Sequence, residues 1–366
     1  MLAVFDDDAT IAHALAFEGA LARAQAAEGI LSEDLAVAIV DACVTIAMSP
    51  QAVAEESALA GTLAIPLVAR LRASLRGEAK AAVHKGATSQ DVADTVLMLQ
   101  TRAAAALVLT DLDRIVHALG DLAIRHADTP AVGRTLLQDA LPVAFGLRLA
   151  QWGAGIADAA RRLRRDVADH ARIQLGGAAG TREGLDGAGS AIASRMADEL
   201  GLAVGEPWHA RRIGIAAIGT SLAIVIGAIG KMARDIALLS QSAVGEAREP
   251  AIAGRGGSSA MAHKRNPTGC QIALSAALRA PGLVATLLAG LPQEEERGLG
   301  GWQAEGPVLA DLFLLAAGAA EAMANVAEGL EIDEGAIARN LSQAGIGTDI
   351  GDSAAIVRAL VARYEG

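Results

Sequence analysis

The chain has 366 residues, with 42 acidic against 31 basic side chains and a net charge of -11. That balance, with a sequence pI near 5.2, repels phosphate backbones and anionic lipid and argues against nucleic acid or a membrane surface as a partner. Hydrophobic residues make up 52% of the chain and aromatic residues only 2%, so the core must be built from alanine and aliphatic side chains, which suits closely packed helices better than sheets.

Length alone predicts more than one domain. Cys43 and Cys270 have no CxxC or Cys/His spacing around them, which excludes a disulfide framework or a zinc site. The opening residues turn acidic at Asp6-Asp7-Asp8 before the apolar core of a signal peptide could form, and the expected location is the cytoplasm. Asp6 to Asp8 themselves read as a solvated terminus.

Helical periodicity begins at Ile11 and runs to Gly29, with Leu15, Leu21 and Ala22 on one face. Ser32 is placed as an N-cap for a helix from Glu33 to Ala47. Ser49-Pro50 and Ile65-Pro66 then break the chain into short pieces, and Gly77 to Gly86 reads as a loop. After Ser89-Gln90-Asp91 the stripe Val92, Val96, Leu99, Ala103, Ala106 and Leu107 predicts a helix to about Leu119. Further long helices are expected over Leu141 to Ile173, His209 to Val244, Pro267 to Leu278 and Glu305 to Ala327. No stretch alternates with period two for long enough to make a strand, so the predicted class is all-α.

Two segments need a choice between readings. The cluster Arg161-Arg162-Leu163-Arg164-Arg165 lacks interleaved aromatic residues and reads as a solvated helix face. Ile213 to Gly230 is 18 residues without a charge, long enough for a membrane span. Its Gly and Ala content, and its continuation as helix through Lys231, Arg234 and Asp235, favour a helix buried on all sides in a bundle shared between subunits.

Three motifs carry chemistry. The first is Gly256-Gly257-Ser258-Ser259-Ala260-Met261-Ala262-His263-Lys264-Arg265-Asn266-Pro267, a glycine-rich loop able to close over a ligand. Asn266 as N-cap and Pro267 at the first helical position would leave free N–H groups facing the loop, a place for a carboxylate or an enolate beside Lys264. The second is His84-Lys85-Gly86-Ala87-Thr88-Ser89-Gln90-Asp91, where Thr88 and Ser89 offer hydroxyls and N–H groups at a helix start; the structural alternative makes Ser89 a plain N-cap. The third is Gly133-Arg134-Thr135-Leu136-Leu137-Gln138, just before a long helix. Gly176 to Thr181 is glycine-rich but lacks the strand and Lys-Ser/Thr ending of a nucleotide-binding loop. Trp208-His209 with Arg212 reads, on residues alone, as the buried cap of a long helix. His13, His117, His126 and His170 have no metal-ligand spacing.

The first motif resembles the GSSxMPxKxNP signature of the fumarase/aspartase superfamily, with Ala262 in place of the usual proline. The second is similar to its HxGxTSxDxxDT region, and the third to its GRTHxQ segment, with Leu136 where the lyases place a general-acid histidine. The resemblance implies a long helical bundle with residues 1–90 as an N-terminal domain, 91–330 as the central bundle and 331–366 as a short remnant of a C-terminal helical domain. It implies Ser258, Lys264 and Asn266 as catalytic residues. Substrate would be bound by His84, Thr88, Ser89, Arg134, Thr135, Gln138, Trp208, His209, Arg212, Ser259, Met261 and His263. A homotetramer with active sites shared between three chains is implied, without cofactor or metal.

Leu136 cannot carry a proton. Cleavage that expels nitrogen, as in adenylosuccinate and argininosuccinate lyases, gains about 10²- to 10⁴-fold from a proton donor. Adding a substrate's own carboxylate across its double bond needs no base, because a carboxyl of pKa about 4 is already ionised at neutral pH. GRTLLQ, GGAAGT and WHxxR all resemble the cycloisomerase branch, which acts on the tricarboxylate 3-carboxy-cis,cis-muconate in protocatechuate catabolism. The alternatives are an adenylosuccinate- or argininosuccinate-type lyase, or a non-catalytic helical scaffold descended from such an enzyme.

Overall fold

The structure is a computed structural model that describes residues 1–365 apart from Ala253, Ser258, Ser259, Ala262 and His263. The elements in chain order are α1 (Asp7–Ala27), α2 (Glu33–Thr45), α3 (Pro50–Ala60), α4 (Ala64–Ser74), α5 (Gly77–Ala82), α6 (Ser89–Arg125), β1 (Pro130–Thr135), β2 (Gln138–Ala144), α7 (Phe145–His170), α8 (Gly189–Leu200), α9 (Ile213–Leu239), β3 (Ala247–Arg248), α10 (Thr268–Ala289), α11 (Gly301–Glu328), β4 (Glu331–Ile332), α12 (Glu334–Ala344) and α13 (Ser353–Glu365). With 67% of residues helical and only short strands, the all-α class holds.

The chain forms two compact units. One holds Met1–Ala105, Arg165–Gly219 and Ala285–Ala310; the other holds Ala106–Arg164, Thr220–Val284 and Asp311–Gly366. The division falls within α6, α7, α9, α10 and α11.

In the first unit the acidic start has a structural job. Asp6 caps α1 by accepting from Ala9 N at 2.8 Å, and Asp7 and Asp8 sit in the first turn, where the positive end of the helix dipole favours them. Ser32 caps α2 as its position suggested. Phe17 and Leu21 of α1, Ile39 of α2 and Ile192 and Met196 of α8 are buried together in a core otherwise rich in alanine. The segment expected to be a loop after Ser74 contains the short α5, and α6 extends beyond Leu119 to Arg125 because Ala123 continues the buried stripe.

In the second unit two antiparallel strands, β1 and β2, form a hairpin that sequence reading did not anticipate. The strands are short, and the two-residue turn Leu136-Leu137 carries none of the Asn or Gly that announce a hairpin. Both leucines have positive φ, 52° and 64°, as a type I′ turn demands, at a cost of about 1–2 kcal/mol per residue for a side chain with a Cβ. Gly133 forms the irregularity between Val132 and Arg134, where a Cβ would lie 2.5 Å from Leu141 O. In the arginine cluster Leu163 is buried, while Arg161 and Arg164 face solvent and pair with Asp158 and Asp113, so that cluster is a solvated face.

The two-residue strands β3 and β4 pair Ala247–Arg248 with Glu331–Ile332 and carry an acidic residue on each flank of β3. Glu246 is fully buried and accepts from Arg134 at 2.7 and 3.0 Å, Arg148 at 3.3 Å and Asn340 at 2.8 Å. Burial pushes its carboxyl upward, but the bonds from Arg134 and Asn340 and the charges of Arg134 and Arg148 outweigh it and hold it below 4.5. A carboxylate with a lowered folded pKa stabilises the fold above its unfolded value, and that stabilisation disappears as pH falls through the folded value. Replacing Glu246 by Gln leaves two arginines short of their counter-charge and should cost about 3–5 kcal/mol at neutral pH. Urea unfolding should show this gap between Glu246→Gln and the native chain narrowing as pH drops below about 4.5; a pH-independent gap would show that the ion cluster is not its source.

Candidate active site

The first two turns of α6 organise the first unit. Asp91, fully buried, accepts four hydrogen bonds: Oδ1 from Gly176 N at 2.9 Å and His209 Nε2 at 2.7 Å, Oδ2 from Gly177 N at 2.9 Å and Thr88 N at 2.9 Å. The last is half of a capping box, with Thr88 as N-cap and Asp91 at the third helical position. Ser89, one residue later, is the first helical residue and so is not the cap.

One turn on, Asp94 receives both terminal nitrogens of Arg212, at 2.7 and 2.8 Å, and Gln174 Nε2 at 3.0 Å. Arg212 also forks onto Glu305 and lies over the Trp208 ring, 4.6 Å from its centroid. Burial alone would lower the Arg212 pKa, but Asp94 and Glu305 more than reverse that and raise it. Burial raises the Glu305 carboxyl against the opposing pull of Arg212, since two carboxylates share one guanidinium. Gln90 and Thr95 complete the grip by binding His209 O and Gln174.

This network decides how the Trp208-His209-Arg212 element is placed. All three side chains are at most 9% exposed and are bonded inside the chain, Trp208 Nε1 to Ile173 O at 3.0 Å. The buried-cap reading fits this geometry. They hold the 174–181 turn against α6, and their hydrogen-bonding atoms are taken up by Asp91, Asp94, Glu305 and Ile173 O.

What α6 presents outward is different. Thr88 and Ser89 are partly exposed, and the Ser89 and Gln90 N–H groups have no acceptor among the described residues. Arg297, from the turn before α11, donates to Thr88 Oγ1 at 2.9 Å and to Ala178 O at 2.8 Å. His84 sits at φ 63° with Nδ1 2.6 Å from Oε1 of the buried Glu18. Gly86 must remain glycine, since its φ is 72° and a Cβ would lie 2.4 Å from Leu185 Cδ2.

The second unit carries the other two motifs. Arg134 is clamped on Glu246 and 3.5 Å from Asp139, so its guanidinium fixes the hairpin. Thr135 and Gln138 pair across the turn and are exposed, and Leu136 at the tip is 96% exposed. In the glycine-rich loop, Ser258, Ser259 and His263 lie outside the described residues, as does Ala262. Met261 is exposed, and Lys264 is exposed with no side-chain partner among the described residues. Asn266 N donates to Gly256 O at 2.8 Å, a closure that brings its carbonyl within 2.6 Å of where a Cβ on Gly256 would be.

Here the structure corrects one expectation. The helix begins at Thr268, so Pro267 rather than Asn266 is the capping position, and the N-terminus is not vacant. Glu249 fills it, accepting from Gly269 N at 3.0 Å and Cys270 N at 2.7 Å. Arg265 seals the same corner by binding Glu331 and Glu249 O. With this helix end occupied, Lys264 is the cation without a side-chain partner among the described residues of the loop. Glu249 lies 19 residues from Thr268 in sequence, which hid it.

A profile described as "Lyase" matches residues 3–282. The chain belongs to the fumarase/aspartase superfamily. Within it, the chain is 46% identical over 345 residues to the 3-carboxy-cis,cis-muconate cycloisomerase of Bradyrhizobium diazoefficiens, covering 93% of this chain and 76% of that one. It is also 46% identical to the enzyme of that name from Pseudomonas aeruginosa, with 93% and 75% covered. The crystal structure of 3-carboxy-cis,cis-muconate lactonizing enzyme from Pseudomonas putida superposes with a TM-score of 0.91 at 33% identity, over 100% of this chain and 96% of that one. The fold and the enzyme class implied by the three motifs are thus those of the superfamily.

Asp91→Asn puts an amide NH₂ against donors that need an acceptor. It should cost about 2–5 kcal/mol in thermal or urea unfolding. Thr88→Val, which keeps the Asp91 bonds and removes only the Thr88 hydroxyl, should cost no more than about 1 kcal/mol. Equal losses in the two variants would mean that Asp91 does not organise this region.

Proposed function

We propose that the enzyme is a 3-carboxy-cis,cis-muconate cycloisomerase, forming 4-carboxymuconolactone in protocatechuate catabolism in the cytoplasm. The observation that carries this reading is Leu136: the turn that resembles the lyases' acid segment ends in an exposed aliphatic side chain held at positive φ. A reaction whose nucleophile is an ionised carboxylate of the substrate does without the missing acid. The cycloisomerases at 46% identity support the same choice.

In the proposed mechanism Thr88 and Ser89 hold one substrate carboxylate through their hydroxyls and the open N-terminus of α6. Lys264 and Asn266 hold the carboxylate conjugated to the reacting double bond. A third carboxylate attacks that bond, forming the C–O bond of the lactone while the π electrons move onto the conjugated carboxylate as an enolate-like charge. Lys264 stabilises this charge. Ser258 gives its hydroxyl proton to carbon and regains one from solvent. His84, fixed by Glu18, and Arg134, Thr135 and Gln138 of the hairpin are further substrate contacts in this reading, together with Ser259, Met261 and His263. Trp208, His209 and Arg212 act from behind by holding the 174–181 turn.

The same reading makes the enzyme a homotetramer with active sites assembled from three chains. Among the described residues four helices, α6, α9, α10 and α11, are long and apolar enough to cross a membrane by length and composition. In α6, α9 and α11 half or more of the apolar window is buried within the chain, against 22% in α10. In the second unit α10 buries the small residues Cys270, Ala273, Ala276 and Ala280, and leaves Ile272 and Leu278 exposed. Apolar area left in water forfeits about 25 cal/mol per Å², so a surface of this kind supports association with further copies of the chain.

Turnover of carboxymuconate, followed by ultraviolet absorbance beside adenylosuccinate and argininosuccinate, tests the substrate directly; activity confined to either succinate adduct would overturn the reading. Ser258→Ala should lower kcat by about 10²- to 10⁴-fold, and near-native turnover would remove Ser258 as the proton donor. Light scattering should give a tetramer for the native chain and a smaller species for Leu278→Glu. A native monomer with full activity would refute shared sites.

A further inference from the structure

We propose that Arg297 is a positioning residue for the substrate carboxylate at the Thr88-Ser89 turn, acting by fixing the Thr88 hydroxyl as a hydrogen-bond donor. The inference rests on the proposal above that this turn takes a carboxylate.

Arg297 lies in the turn between α10 and α11, directly after Glu294, Glu295 and Glu296. The turn is held by its own bonds: Leu299 N to Glu294 Oε2 at 2.9 Å, Gly300 N to Gln303 Oε1 at 2.9 Å and Trp302 Nε1 to Gly298 O at 3.1 Å. From it one guanidinium nitrogen reaches three acceptors, Thr88 Oγ1 at 2.9 Å, Ala178 O at 2.8 Å and Gly177 O at 3.3 Å. Arg297 therefore ties the α6 start to the 176–181 turn across the face that Asp91 does not reach.

A threonine hydroxyl has one proton to donate and lone pairs to accept with. Arginine cannot accept, so the Arg297 bond uses a lone pair of Thr88 and leaves the hydroxyl proton to point elsewhere. Asp91 has already taken the Thr88 N–H. The donors left at this partly exposed corner are then the Thr88 O–H and the Ser89 N–H, a pair suited to an anion. The guanidinium adds a full positive charge beside them. At the α10 start an arginine also binds a threonine hydroxyl, Arg255 Nε to Thr268 Oγ1 at 3.3 Å, but there Glu249 already accepts the Gly269 and Cys270 N–H groups.

The test compares Arg297→Met, Arg297→Lys, Thr88→Val and the Arg297→Met/Thr88→Val double variant. The readouts are KM and kcat for carboxymuconate, and Ki for propane-1,2,3-tricarboxylate as a non-reacting anion. Loss of a charge-assisted contact should raise KM and Ki about 10- to 100-fold in Arg297→Met, with kcat changed less than about threefold. Arg297→Lys should recover part of the loss. The double variant should be little worse than the poorer single one, because both act through one hydroxyl. If Thr88→Val raises KM and Ki while both arginine variants leave them within twofold, or if the two losses simply multiply, Arg297 does not position Thr88. If Thr88→Val changes neither constant, the carboxylate reading of the turn fails, and this inference with it. Should Arg297→Met not fold, Arg297→Lys and Arg297→Gln decide the matter by the same constants.

Discussion

A single buried carboxylate holds the first unit together. Removing a charge from water costs several kcal/mol unless hydrogen bonds replace the lost hydration. Asp91 meets that cost with donors from three separated parts of the chain: Thr88, Gly176 with Gly177, and His209. Those segments cannot move independently without orphaning it. The glycines are part of the bargain, because a Cβ on Gly176 would lie 2.6 Å from the His209 ring and Gly177 has φ 72°. Asp94, three residues along the same helix face, repeats the device with Arg212 and Glu305.

The two helix starts that carry motifs have opposite fates. At α6 the internal carboxylate sits behind the first turn and leaves the Thr88 and Ser89 hydroxyls and the Ser89 N–H at a partly exposed surface. At α10 the carboxylate of Glu249 occupies the N-terminus itself, and Arg265 locks the strand pair next to it. The same dipole is thus left open at one helix start and spent on fold closure at the other. A negative protein that works on a tricarboxylate gains from such local concentration of donors, since its overall field opposes the substrate.

Much of this was legible along the chain. Long helices declare themselves through periodicity, and the Ser32 cap, the all-α class and the three motifs needed only local pattern. The hairpin escaped because Leu136-Leu137 violates the usual turn chemistry, and its strands are anchored by Arg134 on a glutamate 112 residues away. Strain of that kind is stored where surrounding contacts over-determine the backbone. Arg297 escaped for a similar reason: in sequence it is one cation after Glu294, Glu295 and Glu296, and nothing local says that it turns toward Thr88.

By itself the sequence determined the composition of the core, the helical periodicity, the order of the motifs and the absence of an acid at position 136, all of which are properties of residue type and spacing. Only the tertiary structure decided which polar groups are consumed internally and which remain available. It turned His209 and Arg212 into struts, gave the α10 N-terminus to Glu249 and left the α6 N-terminus open beside Arg297. The reason is physical: a buried donor or acceptor must find a partner, and these partners lie from tens to more than two hundred residues apart, where no local pattern can pair them.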